Sequence, residues 1–304
     1  MDIKRLVELM QKKPYLLKMG KGLLARRYKT TESIVVRAKE LSREKKVSKF
    51  PRVLILDIET APMRAFVWKR WKENISLGQT ISEWFMLCWS AKWLYSTEVY
   101  GESITPEDVL REDDSIIVGK LWELVNQADI VVTHNGDKFD LPKINSRFIV
   151  NGLPPTKPYF SVDTCRVSQR QFGFSSNKLN ALAGYFGFDY KLETTFELWK
   201  QCLDGNAKAL AYMLKYNKRD VTLLEEVYLK LRPWIKAHPN LNNFCDQELP
   251  VCSICGSEKL EEVEGEYYYT TTGKYKLYRC KDCGALTRGR KSISNKVKLV
   301  SVGR

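Results

Sequence analysis

Long apolar runs and histidine are both scarce in this sequence. No stretch is long and apolar enough to cross a bilayer as a helix, and the opening residues MDIKRLVELMQKKP lack the apolar core of a secretion signal. We therefore expect a protein that stays in the cytoplasm and has no membrane partner. Only two histidines, His134 and His238, occur among 304 residues. Both lie outside the cysteine-rich region near the C-terminus, which excludes a mixed cysteine–histidine metal site there.

Acidic residues are scarce at the two ends of the chain. Residues 1–52 hold 16 Lys and Arg against 5 Asp and Glu, a net charge of +11. Residues 286–304 hold 6 basic residues and no acid, so residues 53–285 carry −3 of the total of +14. Basic ends around a mildly acidic centre favour a polyanionic partner, most simply nucleic acid. The alternative is that the basic ends only aid solubility.

The eight cysteines fall into two groups. Four are scattered and are expected to be inert buried thiols. The other four form two CxxC pairs, CSICG and CKDCG, each followed by a glycine that permits a tight metal-binding turn. With a hairpin between them, EYYYTTTGKYKLYRC, they resemble a zinc ribbon, and four thiolates with no open position imply one structural Zn²⁺. The four predicted ligands are Cys252, Cys255, Cys280 and Cys283.

The tyrosines of this predicted hairpin allow two interpretations. Residues 267–269 are all tyrosine, and Lys274, Lys276 and a basic tail follow. Aromatic rings beside cations are able to stack on and attract single-stranded nucleic acid. Equally, the rings are able to serve as the core of a small unit.

Residues 1–49 are predicted to be helical. The segment KGLLARRYKTTESIVVRAKELSREKK indicates a short helix, a turn at Lys29-Thr30 and a longer helix capped by Thr31. This order resembles a helix-turn-helix whose second helix presents Arg37 to DNA, although Lys29 replaces the glycine often found in the turn. The alternative is a basic helical appendage that packs on the rest of the protein.

Residues 50–236 alternate strand and helix patterns, which is typical of an α/β domain. One opening stretch, VLILDIETAP, is a buried apolar strand that runs into Asp57 and Glu59. Residues i and i+2 of a strand point to the same face, so these two carboxylates should lie side by side. Like charges so placed favour a divalent cation between them. The alternative is an exposed strand end with solvated acids.

Further carboxylates occur in two later segments. In THNGDKFDLP, Asp140 follows a predicted strand at the start of a helix, with Asn135 and Phe139 before it. In YNKRDVTLL, Tyr216 and Asp220 are four residues apart and therefore share one face of a helix. An aromatic hydroxyl beside a carboxylate is suited to positioning a water molecule.

These three motifs, in this order, resemble the ribonuclease H-like 3′–5′ exonucleases of the DEDD superfamily, in the subgroup with tyrosine in the third motif. The stretches SAKWL, VDTCRV and FSSNKLNALAGYFG are similar to stand-alone, often phage-encoded relatives of the family B DNA polymerase exonuclease domain. The resemblance covers residues 50–236. It implies a mixed sheet flanked by helices and, for a phage protein, a location in the host cytoplasm.

The resemblance also implies hydrolysis of phosphodiester bonds with two Mg²⁺ or Mn²⁺ ions. Asp57 would bridge both ions, Glu59 and Asp220 would bind one of them, and Asp140 would bind the other. Tyr216 would orient the attacking water.

Substrate contacts are predicted at Asn135, Asn177 and Lys178, with helix capping as the alternative for the last two. Asp163 is a secondary candidate among the acids, whereas His134 is expected to be structural. DNA is favoured over RNA as the substrate, and replication or repair proteins are conceivable partners. Two alternatives are an exoribonuclease with the same site and a non-catalytic nucleic-acid-binding regulator.

The predicted organisation has four parts: a helix-turn-helix-like segment at 1–49, a ribonuclease H-like α/β domain at 50–236, a zinc ribbon at 246–290 and a basic tail at 291–304.

Overall fold

The computed structural model describes residues 2–12, 16, 19–43, 50–189, 194–244 and 250–294. The chain divides into two compact units, Met1–Phe50 with Asn243–Leu249 and Pro51–Asn242 with Pro250–Arg304. The cysteine-rich segment thus belongs to the same unit as the α/β region. Most of the predicted basic tail, from residue 295 on, lies outside the described residues. Within the described ranges, no helix is long and apolar enough to span a bilayer.

The N-terminal unit contains three helices: α1 (Ile3–Lys12), α2 (Lys21–Arg27) and α3 (Glu32–Arg43). The predicted turn between α2 and α3 is present, and Lys29 adopts a φ of 47°, a left-handed conformation that glycine adopts without strain. The Thr31 hydroxyl accepts a hydrogen bond from the Ile34 N–H (3.4 Å), as expected for a cap. The apolar core of this unit comprises Leu6, Met10, Leu16, Leu24, Ala25, Val35 and Ala38.

A five-stranded mixed sheet forms the centre of the larger unit, which confirms the predicted α/β fold class. The strands follow the order β5-β4-β1-β6-β7 across the sheet, and β1 runs parallel to β6 but antiparallel to β4. The five strands are β1 (Val53–Thr60), β4 (Met86–Trp93), β5 (Tyr100–Ser103), β6 (Ile130–Thr133) and β7 (Phe160–Asp163); β2 (Arg64–Ala65) and β3 (Thr80–Ser82) form a separate pair.

Helices pack on both faces of this sheet because β1 is apolar on both faces. Leu54, Leu56 and Ile58 contribute to one buried cluster, whereas Val53 and Ile55 contribute to another. The helices are α4 (Pro106–Arg111), α5 (Ser115–Val125), α6 (Asp140–Val150), α7 (Thr164–Gln171), α8 (Leu179–Phe186), α9 (Phe196–Leu203) and α10 (Ala207–Leu231).

The long helix α10 contacts both clusters and crosses the sheet next to β1 and β4. Both ends of this helix have strong local signals in the sequence. The Asn206 side chain accepts hydrogen bonds from the N–H groups of Lys208 and Ala209, which caps the first turn. Pro233 follows the C-terminus and cannot continue the helix.

The cysteine-rich segment forms a three-stranded sheet, in the order β10-β9-β8. The predicted hairpin is β8 (Leu260–Tyr269) and β9 (Lys274–Cys280), and β10 (Leu286–Arg288) adds an edge strand. Hydrogen bonds join this segment to the α/β region: the Leu241 N–H donates to the Ser253 carbonyl (2.8 Å), and the side-chain amide of Asn242 exchanges hydrogen bonds with the backbone of Val251.

A buried carboxylate, Asp114, connects the start of α5 to β4 and α6. It accepts hydrogen bonds from the Met86 N–H (2.8 Å), from Arg147 (2.6 Å to each oxygen) and from Asn151 (3.0 Å). Its side chain has no solvent exposure, and that of Arg147 is 14% exposed. The position of α6, which begins at Asp140, therefore depends on this ion pair.

We expect Asp114→Ala to lower the free energy of unfolding by about 3–5 kcal/mol, because it leaves the Arg147 guanidinium and the Met86 N–H without their acceptor. Urea denaturation followed by circular dichroism measures the change. The matched control is Asp113→Ala, which removes an exposed carboxylate one residue away. Equal losses in the two variants would contradict the role given to Asp114.

Candidate active site and cysteine cluster

Three carboxylates converge where β1 ends against α10. Strand β1 contributes Asp57 and Glu59 on one face, and α10 contributes Asp220. Ligand atoms of the three side chains all lie within 4.8 Å of one another. Asp220 is only 3% exposed, whereas Asp57 and Glu59 are half-buried. Three oxygen donors at this spacing fit a hard divalent cation, whose charge would offset their mutual repulsion.

Asp140, the fourth predicted acid, lies next to this group but not within it. It begins α6, is 2% exposed, and accepts a hydrogen bond from the Ile58 N–H (3.1 Å). That bond ties α6 to β1 between Asp57 and Glu59. Burial raises the pKa of Asp140 to about 7, although the hydrogen bonds from backbone N–H groups oppose the shift.

Tyr216 lies one helical turn before Asp220 on α10 and is 6% exposed. Between them, Asn217 is fully buried and donates a hydrogen bond from Nδ2 to Asp57 Oδ2 (2.6 Å). Asn217 is not among the residues that the sequence motifs predict. The only available signal was its position between the two predicted residues, and an asparagine inside a helix does not reveal which strand it faces.

One cavity of about 1030 Å³ brings these side chains together. Of the residues predicted to contact substrate, Asn135, Asn177 and Lys178 also line it, whereas Arg37 is an exposed residue of α3 in the N-terminal unit. The cavity is lined by all five predicted catalytic residues, Asp57, Glu59, Asp140, Tyr216 and Asp220.

Neither of the two substrate candidates before α8 caps that helix with its side chain. Lys178 occupies the N-cap position without a side-chain hydrogen bond and is exposed. The Asn177 Oδ1 instead accepts a hydrogen bond from the Ser168 hydroxyl (2.7 Å). Its carbonyl is 2.9 Å from His134 Nε2, and His134 Nδ1 is 2.9 Å from the Thr164 hydroxyl. These contacts of His134 link the end of β6 to α7 and to the segment before α8.

Asp163 is buried and organises the loop that leads to Asp140. It caps α7 by accepting hydrogen bonds from the N–H groups of Cys165 and Arg166. It also accepts from the N–H groups of Asn135 (2.9 Å) and Asp137 (3.3 Å). With this many donors already around it, Asp163 acts as a cap and loop anchor.

The same loop requires glycine at position 136. Asn135 has a φ of 66°, and a Cβ on Gly136 would lie 2.2 Å from the Thr133 hydroxyl. The backbone therefore passes close over β6 before it enters α6.

The four predicted cysteines form a second cluster whose sulfur atoms all lie within 4.8 Å of one another. Cys252 and Cys283 sulfurs are 3.7 Å apart, and those of Cys255 and Cys280 are 3.5 Å apart. A tetrahedral site with Zn–S bonds of about 2.3 Å has sulfur separations of about 3.8 Å, so the arrangement fits one tetrahedral metal ion. Hydrogen bonds from the Cys255 thiol and from backbone N–H groups lower the pKa of Cys252, which favours its thiolate form.

The tyrosines of this segment lie outside its apolar core. The described core consists of the cysteines with Ile254, Leu260 and Ala285. Tyr268 and Tyr269 are exposed, and Lys274 Nζ lies 3.6 Å from the centre of the Tyr267 ring. These rings are therefore surface groups beside cations.

Part of the chain matches a known protein family. A family model described as the RNase H superfamily matches residues 97–232. This span includes Asp140, Tyr216 and Asp220 and omits Asp57 and Glu59.

The sequence is 29% identical over 138 residues to a DNA polymerase III PolC-type from Ureaplasma parvum serovar 3. The match covers 43% of this chain and 9% of that protein, so the chain spans only a small part of the relative's length. The family B DNA polymerase of Pyrobaculum calidifontis gives a TM-score of 0.44 at 16% identity, over 60% of this chain and 25% of that one. That superposition is too loose to define a common fold. The family match and the five-stranded mixed sheet agree, and the fold of the α/β region is therefore RNase H-like.

Proposed function

We propose that this protein is a metal-dependent 3′–5′ exonuclease that hydrolyses phosphodiester bonds, of DNA in preference to RNA, and that it belongs to the tyrosine subgroup of the DEDD superfamily. The observation that carries the proposal is the convergence of Asp57, Glu59 and Asp220 within 4.8 Å in a cavity also lined by Asp140 and Tyr216. A binding module that uses the fold only as a scaffold has no need of such a costly group of charges.

Asp57, Glu59 and Asp220 would hold one Mg²⁺ or Mn²⁺ ion, and Asp57 and Asp140 would hold a second. When bound, such ions supply Lewis acidity at the scissile phosphate and neutralise its charge. Asn217 keeps one oxygen of Asp57 in a fixed orientation, and the Ile58 N–H does the same for Asp140. The Tyr216 hydroxyl would form a hydrogen bond with the attacking water and so align the water with the phosphate.

The cysteine cluster is proposed to hold one Zn²⁺ in a purely structural role, because four thiolates leave no position open for substrate. DNA binding by α2 and α3 through Arg37, and substrate contacts by Asn135, Asn177 and Lys178, stay predictions. A phage origin and replication or repair partners are likewise implications of the family resemblance alone.

The first prediction concerns the acids. Asp57→Ala and Asp140→Ala should each lower the rate of hydrolysis by about 10³-fold or more, which corresponds to about 4 kcal/mol of barrier, because each removes a metal ligand. Single-stranded DNA and RNA labelled at the 5′ end are incubated with Mg²⁺ and resolved on denaturing gels. DNA should shorten one nucleotide at a time from the 3′ end, and omission of Mg²⁺ should abolish the reaction.

The matched control for these variants is Asp189→Ala, since the Asp189 side chain is 98% exposed. Wild-type rates in both ligand variants would refute the assignment of the acids. Shortening from the 5′ end would refute the polarity, and faster cleavage of RNA would refute the substrate preference.

The second prediction concerns Tyr216. Tyr216→Phe removes only the hydroxyl, so kcat should fall by about 10²-fold while KM stays nearly constant. Tyr212→Phe, one turn earlier on the same helix, is the control and should retain wild-type kinetics. If Tyr216→Phe also retains its full kcat, the ring serves only for packing.

The third prediction concerns the cysteines. Purified wild-type protein should contain one zinc ion per chain by inductively coupled plasma mass spectrometry, and Cys280→Ala should contain almost none because three thiolates bind zinc much more weakly than four. Cys165→Ala, a free cysteine outside the cluster, should retain the metal. Zinc-free wild-type protein with an intact C-terminal sheet would contradict the structural role.

A further inference from the structure

A stretch of the α/β region exposes large apolar side chains instead of burying them. The segment 63–82, here called the aromatic arm, leaves the end of β1, forms the β2–β3 pair and returns to β4. Trp68 is 93% exposed, Trp71 81% and Phe66 72%. Contiguous exposed apolar surface of this kind marks an interaction site in a soluble protein.

Hydrogen bonds hold the arm in a defined conformation. The Glu73 carboxylate accepts hydrogen bonds from the N–H groups of Trp68 (3.0 Å) and Lys69 (2.8 Å), and these bonds lower the pKa of Glu73. The Gln79 side-chain amide donates to Glu73 and to the Phe66 carbonyl (both 3.1 Å). The loop that carries the two tryptophans is therefore folded back on itself, with the indole rings on its outside.

The arm is also positively charged. Residues 63–82 contain four basic residues and one acid, Glu73, whose carboxylate is turned toward the loop backbone. Arg64 is paired with Glu112. Lys69, Arg70 and Lys72 are exposed and form no ion pair with any described residue. Cations thus alternate with the indole rings along the exposed loop.

The arm begins beside the catalytic cavity. A second cavity of about 490 Å³ is lined by Met63 at the start of the arm and by Trp84, Phe196 and Trp199. Lys143 also lines it, with Nζ 3.6 Å from the centre of the Trp84 ring. The two cavities share Thr194 and Thr195 as lining residues. A surface rich in aromatic rings therefore continues from the carboxylates to the arm.

We propose that the aromatic arm is a binding site for single-stranded nucleic acid, outside the catalytic cavity. Bases stack on Trp68 and Trp71, while Lys69, Arg70 and Lys72 contact the phosphates between them. A single strand fits better than a duplex because the base faces of a duplex are already stacked. The positive charge of the arm favours a polyanion as its partner over the apolar surface of another protein. This inference rests on the proposed function at one point, namely that the bound strand continues from the arm into the catalytic cavity.

The experiment measures binding without cleavage. All proteins carry Asp57→Ala, and fluorescence anisotropy reports their affinity for a labelled 20-nucleotide oligothymidylate and for a duplex of equal length, from low to moderate NaCl. Trp68→Ala/Trp71→Ala should raise the Kd for the single strand by about 10-fold or more and change that for the duplex by less than about 2-fold. Trp68→Phe/Trp71→Phe should restore most of the affinity because phenylalanine also stacks.

A second variant separates charge from stacking. Lys69→Gln/Arg70→Gln/Lys72→Gln should reduce the slope of log affinity against log salt by about 2, since each single-strand phosphate contributes about 0.7. The tryptophan variants should leave this slope unchanged. The matched control is Trp234→Ala, because Trp234 is 63% exposed but lies outside the arm. Thermal melting confirms that each variant is folded.

Several outcomes would overturn the inference. One is wild-type affinity in both the tryptophan and the charge variants, and another is an equal loss of affinity for duplex and for single strand. A third is that the wild-type protein is a dimer, and that the tryptophan variant is monomeric without any loss of nucleic-acid affinity. The arm variants are also made with Asp57 intact for a cleavage assay, and wild-type cleavage by these proteins together with unaffected binding would reject the arm and keep the proposed nuclease. Weakened binding in a protein that never hydrolyses DNA would keep the arm and reject the nuclease.

Discussion

The repulsion among three carboxylates held within 4.8 Å is the constraint on which the rest of the α/β region depends. At an effective dielectric constant of about 20, two like charges at that distance repel by about 3 kcal/mol. Three such pairs approach the whole net stability of a typical domain, about 5–15 kcal/mol. A fold that brings these groups together needs a rigid sheet behind them, and a cation between them would offset the repulsion. Strand β1 supplies the rigid support, since its apolar residues are buried on both faces of the sheet.

Uncharged groups orient two of the carboxylates. Asn217 contacts Asp57 and the Ile58 N–H contacts Asp140, and both donors are uncharged. A lysine or arginine in either place would satisfy the carboxylate and compete with a metal ion. The ion pair between Arg147 and Asp114 holds α6 about two helical turns after Asp140. The helix that carries Asp140 is therefore kept in position by groups other than the carboxylates of the cavity.

The net charge of the chain differs in sign between its centre and its two ends. The central residues 53–285 carry −3, whereas the two ends together carry +17. An acidic cavity repels phosphate until cations occupy it, so a polyanionic substrate needs contacts at other places. The aromatic arm supplies such contacts close to the cavity, and its tryptophans add attraction that salt does not screen. In the C-terminal sheet, the exposed Tyr269 and Tyr268 lie beside Lys274 and Arg288 and form a surface of similar composition.

Local patterns in the sequence were sufficient for several of the elements and for the family resemblance. The apolar run of β1, the capped and proline-terminated α10, and the paired CxxC turns each depend on residues only a few positions apart. Such signals are readable because backbone geometry repeats every two or 3.6 residues. Only the tertiary structure decided which acids meet. It placed Asp140 beside the other three while making Asp163 a helix cap, and it brought Asn217 to Asp57 across 160 residues. It also left the tryptophans of the arm outside, although by composition they would suit a core. Contacts between distant elements depend on strand order and helix crossing, which are set by the packing of the whole unit and leave no periodic trace in the chain.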